Sequence, residues 1–131
     1  MRLAVVLCLA CGPVFAQDVD CVTAEVQVEM TFCAEQAWIA ADEALNAEYQ
    51  AAVEVMQRVD ANLGEGDHAA EDFLRQAQRD WVAFRDNACA AEAYPLHGGS
   101  AEAMVIYGCR ARLTVERTQG LQYLTDYGVA D

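Results

Sequence analysis

Apolar residues recur every three or four positions from Thr23 to Leu63: Val26, Met30, Cys33, Ala37, Ala41, Leu45, Tyr49, Ala52, Met56, Val59 and Leu63. Glu25, Glu29, Glu35, Glu43 and Glu48 occupy much of the remaining circumference. That period is helical, because side chains three and four apart share one face. An unbroken helix over this stretch runs to about 60 Å, so it must curve or extend beyond its partners. Gly64-Glu65-Gly66 ends it, and Asp67 is placed to cap the next helix by accepting unpaired amide hydrogens.

A second helix is predicted over His68–Tyr94, with Leu74, Ala77, Trp81, Phe84 and Ala88 as its packing stripe. Beside that stripe runs a polar seam, Gln78, Arg85, Cys89 and Glu92, at similar spacing. Pro95, Gly98 and Gly99 break the pattern, and Ser100 is placed to cap a third helix reaching about Asp126. In that helix Val105, Cys109, Leu113, Glu116, Gly120 and Leu124 do not make an uninterrupted apolar face. Met104, Ile106 and Leu121 widen it, but its packing logic is the weakest of the three.

Alternating strand patterns are scarce and alanine, the best helix former, is abundant. The short connections favour an all-α fold: a small antiparallel three-helix bundle, a hairpin of the first two helices closed by the third. Burial of Trp81, Phe84, Leu45 and Tyr49 against one another is expected to contribute about 1.5–3 kcal/mol each before entropy is subtracted.

Composition adds a compartment. Met1–Ala16 carries one early arginine, an apolar run from Leu3 to Ala10, and Val14-Phe15-Ala16 before Gln17. It reads as a cleaved secretion signal, too short for a membrane span of about 20 residues. Residues 17–131 are then one extracytoplasmic domain, periplasmic or secreted, with no later transmembrane segment. Leu9-Ala10-Cys11 has the look of a lipoprotein site, but Cys8 stands where leucine is usual, so soluble secretion is favoured over a lipid anchor at Cys11.

In an oxidising compartment Cys21, Cys33, Cys89 and Cys109 are expected to form two disulfides. Four cysteines allow three pairings. Cys21 and Cys33 on one straight helix would lie about 18 Å apart, beyond disulfide reach, so their union requires an N-terminal turn. Cys89–Cys109 closes a loop that Pro95 and two glycines can reverse. Cys21–Cys33 with Cys89–Cys109 is favoured; the competing arrangement staples the first helix to both ends of the Tyr94–Ser100 connection.

Charge narrows the partners. The net charge of −13 becomes −14 when Arg2 leaves with the signal, and there is no lysine in the chain. Such a field repels nucleic acid and anionic lipid, and favours encounter with a basic protein. Scattered carboxylates also simply keep an exported domain soluble. The interleaving of Arg79, Trp81, Phe84 and Arg85 superficially suggests base stacking, but aromatic core packing fits the charge better.

Chemistry-bearing patterns are sparse. His68 follows a turn and reads as a surface or cap-side residue, while His97 sits alone in the Pro/Gly connection. Neither belongs to a metal-ligand cluster, a nucleophilic triad or a Cys-x-x-Cys pair, so no catalytic residue, cofactor or metal is expected. Acids such as Asp42, Asp72, Asp80 and Glu92 at helical spacing normally make a solvated face, and Gly98-Gly99 lies outside any phosphate-loop pattern. Arg85 supports a narrower reading. Asp42 and Asn46 lie one turn apart on the first helix, Gln78 and Arg85 two turns apart on the second, and antiparallel contact would join them in a structural polar network.

One ordered set of residues spans nearly the whole domain. It begins with Glu29-Met30, Cys33-Ala34, Asp42, Leu45-Asn46 and Tyr49. It sharpens at Ala77-Gln78-Arg79, Trp81, Phe84-Arg85-Asp86 and Cys89, then continues through Glu92, Gly98-Gly99-Ser100, Met104, Cys109, Leu113-Thr114 and Arg117. In this the chain resembles the lysozyme inhibitor LprI-like family. The departures are Thr31 after Glu-Met, and Asp80 and Asn87 around the Arg-x-Trp and Phe-Arg-Asp segments. The resemblance implies a small exported helical protein with disulfides, and inhibition of lysozyme in at least some members. The acidic charge points to a basic lysozyme as the candidate partner.

On this reading Tyr94-Pro95-Leu96-His97-Gly98-Gly99-Ser100 is a candidate partner-binding loop. Tyr94 and Leu96 supply contact area and the glycines permit close backbone approach. The expected action is stoichiometric binding that occludes the substrate cleft, without enzymatic turnover. The alternative is an envelope interaction or structural domain with a different protein target.

Overall fold

The computed structural model describes residues 19–64, 66 and 69–128, the side chains of 127 and 128 excepted. The predicted signal, Cys11, Asp67 and His68 lie outside the described residues. Three helices carry the fold, α1 (Gln27–Asn62), α2 (Ala70–Ala93) and α3 (Glu102–Gly128), with a single 3₁₀ turn at Tyr94–Leu96. The fold is all-α, with no strand among the described residues. At about 1.5 Å per residue, the 36 residues of α1 span roughly 54 Å.

Contacts along the helices set their directions. Gln27 Nε2 donates to Met104 Sδ and Thr125 Oγ1 donates to Glu48 Oε1, both across a separation of 77 residues, so α1 and α3 run parallel with a constant offset. Arg85 meets Asp42 and Arg117 meets Gln78, which makes α2 antiparallel to both. The most extensive packing is between α1 and α3, not within the α1–α2 hairpin. The third helix thus closes the α1–α2 hairpin chiefly through α1. α3 buries Cys109, Thr114 and Leu121 while facing two neighbours at once. A helix with two contact faces spreads its buried residues around the axis, so no single apolar stripe is visible in its sequence.

Leu45, Ala52, Val53, Leu74 and Leu121 form the apolar core, flanked by Tyr49, Met56, Trp81 and Leu124. The core occupies the half of the bundle away from the Tyr94–Ser100 connection. Toward that connection cross-links take over. Cys21–Cys33 and Cys89–Cys109 are both formed, each with Cα atoms 5.5 Å apart, as favoured from the sequence. Cys21 precedes α1, where a turn brings it back to Cys33.

The rotation of α2 overturns one expectation. Its buried residues are Leu74, Arg85, Cys89 and Ala93, whereas Phe84 is 59% exposed. Arg85 and Cys89 of the polar seam are therefore turned inward, whereas Glu92 is exposed, and Leu74 and Trp81 of the predicted stripe still pack on the core. Cys89 must face α3 to reach Cys109, and Arg85, one turn earlier, turns inward with it. Phe84, about 100° away from Arg85 around the axis, is left in solvent.

The helix starts show one cap from outside the expected set and one revision. The carboxylate of Asp60, in the last turn of α1, accepts from the first amides of α2, Ala70 N at 2.8 Å and Glu71 N at 3.0 Å. A cap delivered from the preceding helix both satisfies those donors and ties the two helix ends together. At α3, Ser100 lies two residues before the helix begins at Glu102, a position too early for the cap expected of it.

Candidate functional site

Two constellations lie near the connection end of the bundle, one enclosed and one open. The enclosed one is centred on Arg85, which is 6% exposed. Its Nη1 donates to Asp42 Oδ1 at 3.2 Å and its Nε to Asp86 Oδ1 at 3.0 Å. Asn46 Nδ2 donates to Asp42 Oδ2 at 3.4 Å, so Asp42, Asn46 and Arg85 are brought together. Gln78 is not among them. Its Oε1 accepts instead from Arg117 Nε of α3 at 3.0 Å.

Aromatic rings complete the enclosure. The Arg85 guanidinium lies 5.1 Å from the Trp81 ring centre and 5.6 Å from that of Trp38, close enough for cation–π attraction to both. Trp38 also carries Arg110 at 4.8 Å and stacks on Tyr107 at 5.7 Å and 16°. Arg110 Nε sits 3.3 Å from Asp86 Oδ1, near enough for charge attraction but out of line for a hydrogen bond. Two guanidiniums, two tryptophans and two aspartates thus share one helix junction. Arg85 is held by charge, geometry and packing together, which is the chemistry of a structural clasp.

Sequence reasoning missed Trp38, Tyr107 and Arg110. The available signals were slight: Trp38 lies one turn before Asp42, and Arg110 immediately follows the cross-linked Cys109. Arg117 sits partly buried beside Gln78, and desolvation there pushes its guanidinium below its ordinary value. Such a shift leaves an arginine charged at neutral pH.

The open constellation is the Tyr94–Ser100 connection, exposed at every residue. Its backbone is tied inwardly: His97 N donates to Tyr94 O at 3.0 Å and Gly99 N to Leu96 O at 2.9 Å. The His97 ring stacks on Tyr94 at 5.3 Å and 11°, and its Nδ1 lies 2.9 Å from Glu102 Oε1. The second oxygen of Glu102 accepts from Gly98 N at 2.8 Å. Those two contacts, His97 first, hold the Glu102 carboxyl below its ordinary value. Gly98 has φ +76°, a left-handed conformation that favours glycine, and a Cβ on Gly99 would stand 3.0 Å from Leu96 O, a tight contact. Tyr94 and Leu96 are therefore displayed on a shaped turn.

No group of three or more His, Cys, Asp or Glu residues capable of holding a metal occurs among the described residues. Nor is any helix among them long and apolar enough to cross a membrane.

Against known families, residues 20–121 match the one described as lysozyme inhibitor LprI. The chain belongs to the lysozyme inhibitor LprI family. This LprI-family chain is also 39% identical over 129 residues to an uncharacterized protein of Rhizobium meliloti (strain 1021), across 95% of this chain and 92% of the relative. No solved structure gives a significant match. The family match takes in both disulfides, the Arg85 clasp and the Tyr94–Ser100 connection. Membership supports an inhibitory or envelope role.

Proposed function

We propose that this protein is an extracytoplasmic, periplasmic or secreted inhibitor of a basic lysozyme, acting by stoichiometric binding and occlusion of the substrate cleft. Family membership carries the reading. The exposed connection supplies a physical means. Tyr94 and Leu96 offer apolar area, while Glu102, Gly98 and the Tyr94–His97 stack hold the turn in shape before any partner arrives. Pre-ordering lowers the entropy lost on docking. The charge of −13, or −14 once Arg2 leaves with the signal, speeds encounter with a cationic enzyme and falls in influence as salt rises.

Nothing in this mechanism consumes the inhibitor or turns over substrate; the protein acts by occupying space. The Arg85 clasp has the separate task of holding the helices that present the connection. Removal of residues 1–16 as a secretion signal, with no lipid on Cys11, would release residues 17–131 as the working domain. A mass measurement of the mature N-terminus checks that step.

The deciding experiment is a binding-and-lysis titration of the purified domain against several lysozyme classes at two salt concentrations. Peptidoglycan release should fall to a minimum near equimolar inhibitor, and higher salt should slow association. Binding without inhibition would move the contact outside the cleft. Absence of both across all classes would replace this reading with an envelope interaction domain of different target.

A further inference from the structure

The chain has no lysine or arginine between Arg2 and Arg58, so α1 carries none before its last turns. The arginines of α2 and α3 are largely consumed within the molecule: Arg75, Arg85, Arg110 and Arg112 each meet an acid. On the outer side of α1 the situation is reversed. Among the described residues no cation reaches Glu35 or Glu43. Glu35 and Glu43 therefore stand uncompensated along the outer side of α1.

That same face is apolar in a way a solvated face need not be. Val28, Phe32, Glu35, Ile39 and Glu43 follow at steps of four, three, four and four, one continuous stripe. Val28 is 75% exposed, and Phe32 and Ile39 are each 42% exposed. Val28, Phe32 and Glu35 line an open groove of about 510 Å³ whose far wall includes Ser100, the last residue of the Tyr94–Ser100 connection. The Cys21–Cys33 disulfide pins the chain just ahead of the stripe. Groove and connection therefore form one surface.

We propose that this α1 groove is the second half of the partner interface, and that it receives a lysine or arginine side chain of a cationic protein surface. The inference rests on the lysozyme-binding reading and specifies which face does the binding. The chemistry matches a basic side chain on both counts. Its methylene stem lies over Val28 and the Phe32 ring, and its charged head reaches Glu35, with cation–π attraction from Phe32 adding to the pair. A second copy of this chain is a poor occupant, since pairing this face with itself would bring uncompensated carboxylates together. Anionic lipid is repelled by the same charge.

The test uses the mature protein with a basic lysozyme that it binds, and in parallel a synthetic arginine-rich amphipathic peptide, read by calorimetry and association kinetics. Phe32→Ser should weaken both interactions by roughly tenfold or more, as expected for loss of an apolar anchor. Glu35→Gln should slow association a few-fold and flatten its salt dependence, the mark of a steering charge. Glu54→Gln, an exposed acid farther along α1, should change neither, and all three variants should keep the wild-type helical spectrum and thermal midpoint. If wild type binds lysozyme and Phe32→Ser and Glu35→Gln bind it equally well, the groove assignment is overturned while the inhibitor reading stands. If wild type binds no lysozyme, the inhibitor reading fails. The peptide then decides the groove alone: loss of peptide binding in the two variants supports a cationic ligand there, and unchanged or absent binding overturns it.

Discussion

Trp38 and Asp42 lie one turn apart on α1, and Ile39 and Glu43 lie one turn apart on the same helix, a single residue further round. The first pair faces inward, where Asp42 receives the Arg85 guanidinium and Trp38 is stacked with Tyr107 and two arginines. The second pair faces outward, where Ile39 is 42% exposed and Glu43 meets no cation among the described residues. Similar residue types at identical spacing have therefore acquired opposite tasks. A carboxylate bound to a buried guanidinium holds helices together; one left beside exposed apolar surface is available to a partner. With only eight basic residues against 21 acidic ones, cations committed inside necessarily leave anions uncompensated outside.

The contrast breaks most visibly at the covalent link that sets the rotation of α2. Replacing both Cys89 and Cys109 with serine should cost about 3 kcal/mol in denaturant unfolding, the amount expected for opening a loop of this length. If stability is unchanged, the disulfide does not govern the inward face of α2. Arg85→Ala should cost about 2–3 kcal/mol. That lies below the loss for a fully buried ion pair because the Asp42 and Asp86 side chains are 41% and 42% exposed and can rehydrate. Arg112→Ala is the matched control: its pair with Glu92 is half exposed, and its loss should cost less than about 0.5 kcal/mol. Equal effects for the two arginines would erase the distinction between clasp and surface pair.

Gly98→Ala forces a side chain into positive φ and should cost about 1 kcal/mol, measured by thermal or chemical unfolding. On the outer face, Ile39→Ser and Glu43→Gln should each stay within about 0.5 kcal/mol of wild type. A larger loss would mean that this face is already used within the fold. The smallest effect belongs to Glu102. Its carboxyl titrates below the ordinary glutamate value when folded, so its contribution is present above that value and fades as pH falls through the depressed one. The hydrogen-exchange protection factor at Gly98 should fall over that acid window in wild type. In Glu102→Gln the protection factor should lack that acid dependence.

The existence and approximate span of all three helices were legible in the chain, because a 3.6-residue period and glycine or proline breaks are local properties. So was the proximity of Asp42, Asn46 and Arg85, since residues one turn apart on antiparallel helices come together whenever those faces meet. The favoured disulfides followed from reach and turn residues, although the chain alone left a second pairing open. Which side of α2 faces inward was legible only in part, through Leu74 and Trp81. Leu74, Trp81 and Phe84 read as an apolar stripe, but Cys89 reaches Cys109 only when Arg85 is buried and Phe84 exposed. Nor could sequence periodicity assign Gln78 to Arg117, supply Asp60 as the cap of α2, or gather Trp38, Tyr107 and Arg110 around one junction. Periodicity defines the faces of a helix. Only the simultaneous packing of three helices, two of them parallel, decides which face meets which neighbour and which charges are left for a partner.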